Sequence, residues 1–465
     1  MAKSGVFGNG ECGGKIALAM LNAAKDVKKT RRGVRILAGQ MGDPIDAGVI
    51  VMNLARPDFR TIKEIRHRVL VPSRGSSHGG GAGKQHSYAA ETILDTGVKQ
   101  IVLKYLRENN SWQHADFHFV IASADGGTGS GFLGPVIAYL KGLVSVPIYA
   151  VLVLPVIDPE AEDGLGVENT AKCLHAVMNE SGADAVFFID NQRFVEFGQS
   201  VEQNYEIINR AWADPWKNPL AAAEDREEGH LTPQIADVRD LTQTILGLST
   251  IGMGRVPILK KPPFMARLFS RNRDDDNGRV QELGREESEQ SNRALDALSG
   301  AFRNCTIDPC FVNEEGELQP FCLAERVFCL LAAPSNETSP AVLGAVRREL
   351  ELRVPQADVI IRTYAGGYPD LFEVVVIIGN IGESAANRKI EHFIERGKKV
   401  QLIRESRTAH IADGIAETKS SMKDLKDRTQ IPQLPKPSPR PADISRIGGD
   451  HEGLTILRDE GKNGD

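Results

Sequence analysis

Several short stretches of this chain hold residues whose types and spacing suit nucleotide chemistry. "SADGGTGSG", residues 123–131, follows the apolar run "FHFVIA" and sets Gly126, Gly127, Gly129 and Gly131 around the hydroxyls of Thr128 and Ser130. A glycine costs about 0.5–1 kcal/mol relative to alanine in a regular element, so the run is expected where a side chain would obstruct a ligand. "FHFVIA" reads as a buried strand and "GFLGPVIAYLKGL" as a helix, with Pro135 in its first turns, where a missing N–H is harmless. Strand, glycine loop and helix start form an anion site on which backbone N–H groups, the two hydroxyls and the helix dipole converge, sized for a di- or triphosphate. Tyr205 and Asn209, four apart on a helix, put a ring and an amide on one face, where the ring can stack on a base and the amide read its edge. Asn191 can supply a second amide, whose paired donor and acceptor suit guanine. The same tyrosine also suits ordinary core packing. Asp237 and Asp240 stand three apart at a helix start, so both carboxylates share one side and can polarise a water or hold magnesium. Asp237 can equally serve as the helix N-cap.

Two rival motifs fit less well. "GNGECGG" satisfies G-x-G-x-x-G from Gly8 to Gly13, and Asp43 is available as a ribose-holding acid, but a dinucleotide site gives no role to the loop at 126–131. "GGGAGKQ" places Gly83 before Lys84, yet a phosphate-binding P-loop needs glycine at His78 and a hydroxyl at Gln85.

The elements that must position these residues have an alternating pattern. "SGVF", "VRILAG", "GVIVMNL", "HRVLVP", "FHFVIA", "PIYAVLVLP" and "DAVFFID" read as strands separated by helical stretches, which predicts a mostly parallel sheet with helices on both faces. Ligand loops in such sheets share the rim at the strands' carboxyl ends. A helix is predicted at about 200–212, then a polar, proline-bearing insertion at 213–233 that marks a domain junction. A second strand-rich region comes next, with the charged stretch 270–293 as a solvated loop or exposed helix. Beyond about residue 405 the chain turns polar, "IPQLPKPSPRP" reads as extended polyproline in a disordered tail, and "GLTIL", 453–457, is an isolated apolar run fit for a partner. The 465 residues suggest two or three domains, and a net charge of −6 argues against nucleic acid as a partner. No apolar run is long enough to span a membrane and the start carries no leader pattern, so a cytoplasmic protein is expected. Six cysteines without C-x-x-C spacing suggest neither a zinc site nor a disulfide framework.

"DGGTGSG", 125–131, matches the G-G-G-T-G-S-G signature of the tubulin/FtsZ superfamily at six of seven positions, and the chain most resembles the archaeal CetZ group. "GNGECGGKI" is similar to the first nucleotide loop, with Gly10, Glu11, Cys12 and Gly13 toward the ligand, and "HGGGAGK" to the third, with Gly80, Gly81, Ala82 and Gly83. "FFIDNQRF" resembles the strand-end asparagine segment, "NYEIINR" the central helix and "DVRDLTQTILGLSTIGMGR" the catalytic loop with its succeeding elements, while "AERVFCLLAAP" and "YAGGYPDLFEVVVIIG" resemble second-domain strands. Glu168 in "GVENTA" resembles the acid that contacts ribose, although as a helix N-terminal acid it also complements the dipole. The resemblance implies a Rossmann-like GTPase domain with a central helix over 1–212, an insertion and catalytic loop over 213–240, an α+β domain over 241–404 and the tail over 405–465. It implies GTP or GDP with Mg²⁺ as ligands. It further implies head-to-tail self-assembly into filaments that serve cell shape or division, with Asp237 and Asp240 acting on the nucleotide of the next subunit. Asp125 replaces the first signature glycine and Glu11 enters a phosphate-facing loop, so Mg²⁺, Lys15 or Lys84 must offset two carboxylates near a polyanion. Without that, a guanine-nucleotide-binding regulatory or scaffold protein of the same fold with little hydrolysis is the alternative.

Overall fold

The computed structural model describes residues 3–30, 48–73, 80–156, 164–195, 200–224, 236–258, 276–365, 367–428 and 455–456. "VRILAG" at 34–39, Asp43, His78, residues 225–235 and "IPQLPKPSPRP" lie outside the described residues. The first half is built on β1 (Ser4–Asn9), β2 (Val49–Asn53), β3 (His67–Leu70), β4 (Phe117–Ser123), β5 (Ile148–Leu154) and β6 (Ala185–Asp190), all pairing in parallel. Alternate residues feed two different cores: Val6, Val49, Phe119 and Ile121 face one, and Phe7, Ile50, Val120 and Ala122 the other. Burial on both faces is why these strands read as continuous apolar runs.

One core is covered by α1 (Gly10–Thr30) and by α7 (Val201–Ala213), whose N-terminus is closed by a reciprocal Ser200–Gln203 capping box. The other is covered by α2 (His86–Leu94), α3 (Thr96–Glu108), α4 (Thr128–Lys141) and α5 (Leu165–His175). α4 starts three residues before the expected helix and leaves Pro135 in its interior, not its first turns. The segment after α7 also departs from expectation. Residues 214–216 form a 3₁₀ turn and α8 covers Lys217–Glu224; Trp216, Leu220 and Ala221 are buried beside Trp212, Phe119 and Phe187. The start of the expected polar insertion is therefore core, because its few apolar residues recur at helical spacing among the polar ones.

The second half joins the same sheet. α9 (Val238–Thr244) leads into β7 (Gly247–Pro257), which pairs in parallel with β6 at residues 247–249 and antiparallel with β12 (Leu371–Ile381) over 250–257. With β10 (Ala324–Ala332) and β11 (Asp358–Tyr364) the order is β11-β10-β12-β7-β6-β5-β4-β1-β2-β3-β13, where β13 is Thr455–Ile456 on the β3 edge. Thr455 and Ile456, within the isolated apolar run "GLTIL", thus pair with a strand of their own chain. A separate hairpin joins β8 (Cys310–Val312) and β9 (Leu318–Cys322). From Asp276 onward the charged stretch belongs to the helix α10 (Asp276–Arg303), and α11 (Pro340–Arg353) packs against it. The final helix, α12 (Ala385–Arg428), runs past the boundary placed at 404, and its Ala386, Ile390 and Phe393 return to the first half's core.

Candidate nucleotide site

Three loops meet at the carboxyl ends of β1 and β4. β1 passes into α1 with no intervening residue, and Gly10 takes φ +71° at that corner; a Cβ there would stand 2.9 Å from Gly129 N. A Cβ on Gly127 would lie 2.9 Å from Ala82 Cβ, Lys84 Cα and Gln85 N, and one on Gly131 would strike the His86 carbonyl and Ala89. Gly13 is pressed against the Ile121 carbonyl. Only Gly126 of the signature loop has nothing within 4 Å of that position among the described residues. The expected reason for the glycines is corrected accordingly: most let backbone meet backbone, and Gly126 alone opens outward. Gly81, Gly83 and Lys84 all have positive φ, and Gly80 pairs with Ala55, so the third loop curls over Gly127.

The start of α4 leaves the N–H groups of Thr128, Gly129 and Ser130 without acceptors inside the helix; the first bond at this end runs from Gly131 N–H to Gly127 O, 3.1 Å. Thr128 is half-buried at the rim. Ser130 is 1% exposed, and its hydroxyl turns back to the Gly126 and Gly127 carbonyls and to His86 Nδ1 at 3.2 Å. It braces the loop and is no rim donor, since on the first turn of α4 its side chain points into the α2 packing.

A cleft of about 150 Å³ beside the loops is lined by Glu11, Cys12, Lys15, Ser123, Asp125, Asn191, Tyr205 and Asn209, together with Val153 and Ile208. It adjoins a groove of about 620 Å³ that shares Lys15, Tyr205 and Asn209. α7 presents Tyr205, 47% exposed, with Lys15 Nζ 5.8 Å from its ring centre, so the ring is no core residue. Asn191 opens the short helix α6 (Asn191–Phe194), which Asp190 caps; the Asn191 Oδ1 is buried with no hydrogen-bond partner among the described residues and can take an N–H from a base. Glu11 is neutralised by Lys15 at 2.6 Å, and Asp125 accepts from Ser123 Oγ. Burial, helped by Asp125 and Glu11 and opposed by Lys15, pushes the Cys12 thiol up to about 12, so it is a neutral wall of the cleft.

The residue before Asn169 drew attention in the sequence, but Asn169 itself organises the site. Its Nδ2 donates to the carbonyls of Lys84 (2.7 Å), Asp125 (3.1 Å) and Gly126 (3.1 Å), tying two loops to α5. Glu168 lies outside the cleft, in a groove of about 750 Å³ beside α2, α5 and α12, where Lys172 and Arg404 each bind it at 2.7 Å. Burial favours its neutral form, but the two cations outweigh that and hold its carboxyl below the usual range. Asn9, fully buried with both amide atoms unpartnered among the described residues, was also missed; nothing in "GNGE" marks it off from a turn residue.

The acid pair sits apart from the cleft. Asp237 caps α9, accepting from Asp240 N–H at 3.0 Å while Asp240 accepts from Asp237 N–H at 3.1 Å. Arg362 on β11 grips both Asp240 oxygens, at 2.8 and 2.9 Å. Among the described residues no three His, Cys, Asp or Glu side chains are grouped to hold a metal, and no helix is long and apolar enough to cross a membrane.

Residues 3–199 match the Tubulin/FtsZ family, GTPase domain. The tubulin-like protein CetZ3 of Haloferax volcanii is 25% identical over 425 residues, covering 89% of this chain and 97% of that protein. Over most of its length the chain is thus similar to tubulin-like proteins of the CetZ type. Solved structures share the fold: the GTPγS-bound protofilament of Haloferax volcanii CetZ2 superposes with a TM-score of 0.63 at 19% identity over 87% of this chain and 99% of that one. CetZ from Methanosaeta thermophila superposes with a TM-score of 0.62 at 18% identity over 92% and 99%. In sequence along most of its length, and in fold, the chain is CetZ-like.

Proposed function

We propose that this chain binds GTP in the cleft between α1, the α4 start and α7, assembles head to tail into protofilaments in the cytoplasm, and hydrolyses GTP between subunits. The observation that carries the reading is the meeting of three backbone loops at one helix N-terminus beside a slot whose walls are Tyr205, Asn209 and the unpartnered Asn191 Oδ1. Phosphates would rest on the α4 N–H groups and the open face at Gly126, with the base against Tyr205. Mg²⁺ suits the oxygen donors here: Asp125, with the phosphates themselves, would hold it and offset the charge that Lys15 leaves unbalanced. Asp237 and Asp240 are not among the residues that line this cleft, so they would act on the nucleotide of a neighbour. The protofilament form of CetZ2 lends support to that arrangement, and head-to-tail contacts propagate because they do not close. A role in cell shape or division would rest on filament formation.

The engagement of both acids favours a second reading. Asp237 is spent on a cap and Asp240 on Arg362, as in a guanine-nucleotide-binding scaffold with little turnover. Sedimentation with GTP, GDP or no nucleotide, run beside phosphate release, separates the two. The first reading expects GTP-dependent pelleting and turnover that rises more than linearly with protein concentration. Pelleting without turnover selects the scaffold, and failure to bind guanine nucleotides in calorimetry removes both.

A further inference from the structure

The β8–β9 hairpin stands outside the main sheet and carries two cysteines that face each other: Cys310 and Cys322 are direct ladder partners. Opposed residues in an antiparallel pair hold their Cα atoms about 4.5–5.5 Å apart, within the roughly 4.4–6.8 Å that a disulfide spans. Both are free thiols. Their environments differ in the way a reactive pair requires. Cys310 is half-exposed; Cys322 is buried. Hydrogen bonding with Cys322 draws the Cys310 thiol below its ordinary value against the effects of burial and Asp308, and the Arg193 guanidinium adds to the lowering. The Cys310 sulfur and burial push Cys322 upward, while Cys173, Cys305 and Cys329 are buried and raised to about 12.

We propose that Cys310 and Cys322 form a reversible dithiol–disulfide site, with low-molecular-weight disulfides of the glutathione type as oxidant. The Cys310 thiolate attacks one sulfur of the small disulfide, forming a mixed disulfide and expelling one thiolate. Cys322 then gives up its proton and attacks the Cys310 sulfur, expelling the second thiolate. Two electrons pass from the protein to one small disulfide, which leaves as two thiols. The bond closes a ring over residues 310–322 in a hairpin already held at both ends: Arg193 bonds the carbonyls of Arg303 and Cys305 and pairs with Asp308, and Arg388 bonds those of Val312 and Asn313. Native geometry therefore needs little rearrangement. This inference is independent of the nucleotide reading.

The test treats the folded full-length protein with glutathione disulfide, quenches with an alkylating agent in denaturant, and maps thiols by mass spectrometry after double cleavage at basic and glutamate residues, since Asn304–Arg326 contains no internal Lys or Arg. The expected result is loss of two alkylatable thiols and about 2 Da, recovered with dithiothreitol, retained in Cys305→Ser and abolished in Cys310→Ser. Persistent alkylation of both cysteines, a glutathione adduct that stays on Cys310, or a link that Cys305→Ser removes would each overturn the proposal. Cys322→Ser separates the roles: it should trap glutathione on Cys310, and if Cys310 instead stays unmodified it is not the attacking thiol.

Discussion

Asn169 holds three carbonyl oxygens with one amide nitrogen, and those carbonyls belong to the loops on either side of the proposed phosphate path. Asn169→Ala should lower GTP affinity at least tenfold in calorimetry while the circular dichroism spectrum stays native, because each buried carbonyl left unsatisfied costs about 1–3 kcal/mol and lets the loops part. Asn169→Asp should not rescue, since a carboxylate has no N–H to give. At the base end, Asn209→Ala should narrow the preference for GTP over ATP in competition binding, because a site built on hydrogen bonds discriminates through them. Equal competition in the parent protein would remove the guanine assignment. Two histidines tie stability to pH. Burial lowers His86 to about 4, aided by Lys172, and lowers His118, wedged against Phe7 and Trp112 with neither ring nitrogen bonded among the described residues, to about 3. Below the ordinary value of about 6.5 the unfolded chain takes up protons that the folded one refuses, so their effect is to make stability rise with pH from about 4 to 6.5 and level off above. Urea midpoints between pH 4.5 and 7.5 should show that slope, flatter in His118→Gln; an unchanged slope in that variant excludes His118 as a source. That Tyr205 and Asn209 line one cleft was legible because i, i+4 spacing fixes a shared helical face. Ser130 and Glu168 were not, because spacing does not say which face looks outward, and a hydroxyl that turns back to its own loop reads the same as one that waits for phosphate.

Elements explain why the acid loop was readable in its position and open in its use. The D-x-x-D spacing of "DVRD" marks a helix start, and the structure closes it as a reciprocal cap; the bidentate clasp by Arg362 comes from a strand more than a hundred residues away, which no local pattern reveals. Asp237→Ala should cost about 0.5–2 kcal/mol as a lost cap. Asp240→Ala removes the cap partner and strands Arg362, so a stability loss alone says nothing about catalysis. The informative comparison is Arg362→Gln, which keeps Asp240 and frees it. If Asp240 acts on a neighbour's nucleotide, turnover in assembled Arg362→Gln should persist while Asp240→Ala loses about 10²–10⁴-fold. Equal turnover in Asp240→Ala and the parent at filament-forming concentrations rejects the role. α8 carries the opposite lesson: its polar composition hid Trp216 and Leu220, whose burial is decided by the neighbouring Trp212 and Phe119.

At the scale of the molecule, alternation of strand and helix patterns made the parallel half readable, and the second half was visible as strands without their order. The division at 404 falls inside α12, which packs on the first half: Phe393 and Ile390 enter the first core, Gly397 abuts Ala171, and Arg404 reaches Glu168. A chain ended after Arg428 should bind GTP as the full protein does. One ended at Ser384 should fail to fold, because it loses buried Ile390 and Phe393, each worth about 2–5 kcal/mol. Soluble expression and a nucleotide titration check both. β7 constrains the chain in a different way. It is counted in parallel against β6 and then antiparallel against β12 along one unbroken stretch of backbone, so the two halves share a single phase. Deleting one residue near Thr250 would not shorten a linker; it would turn the inward side chains of one half outward while leaving the other in place. Insertions and deletions that loops absorb should therefore be lethal here, and a length scan along β7 would find a segment that tolerates substitution yet permits no change in residue count.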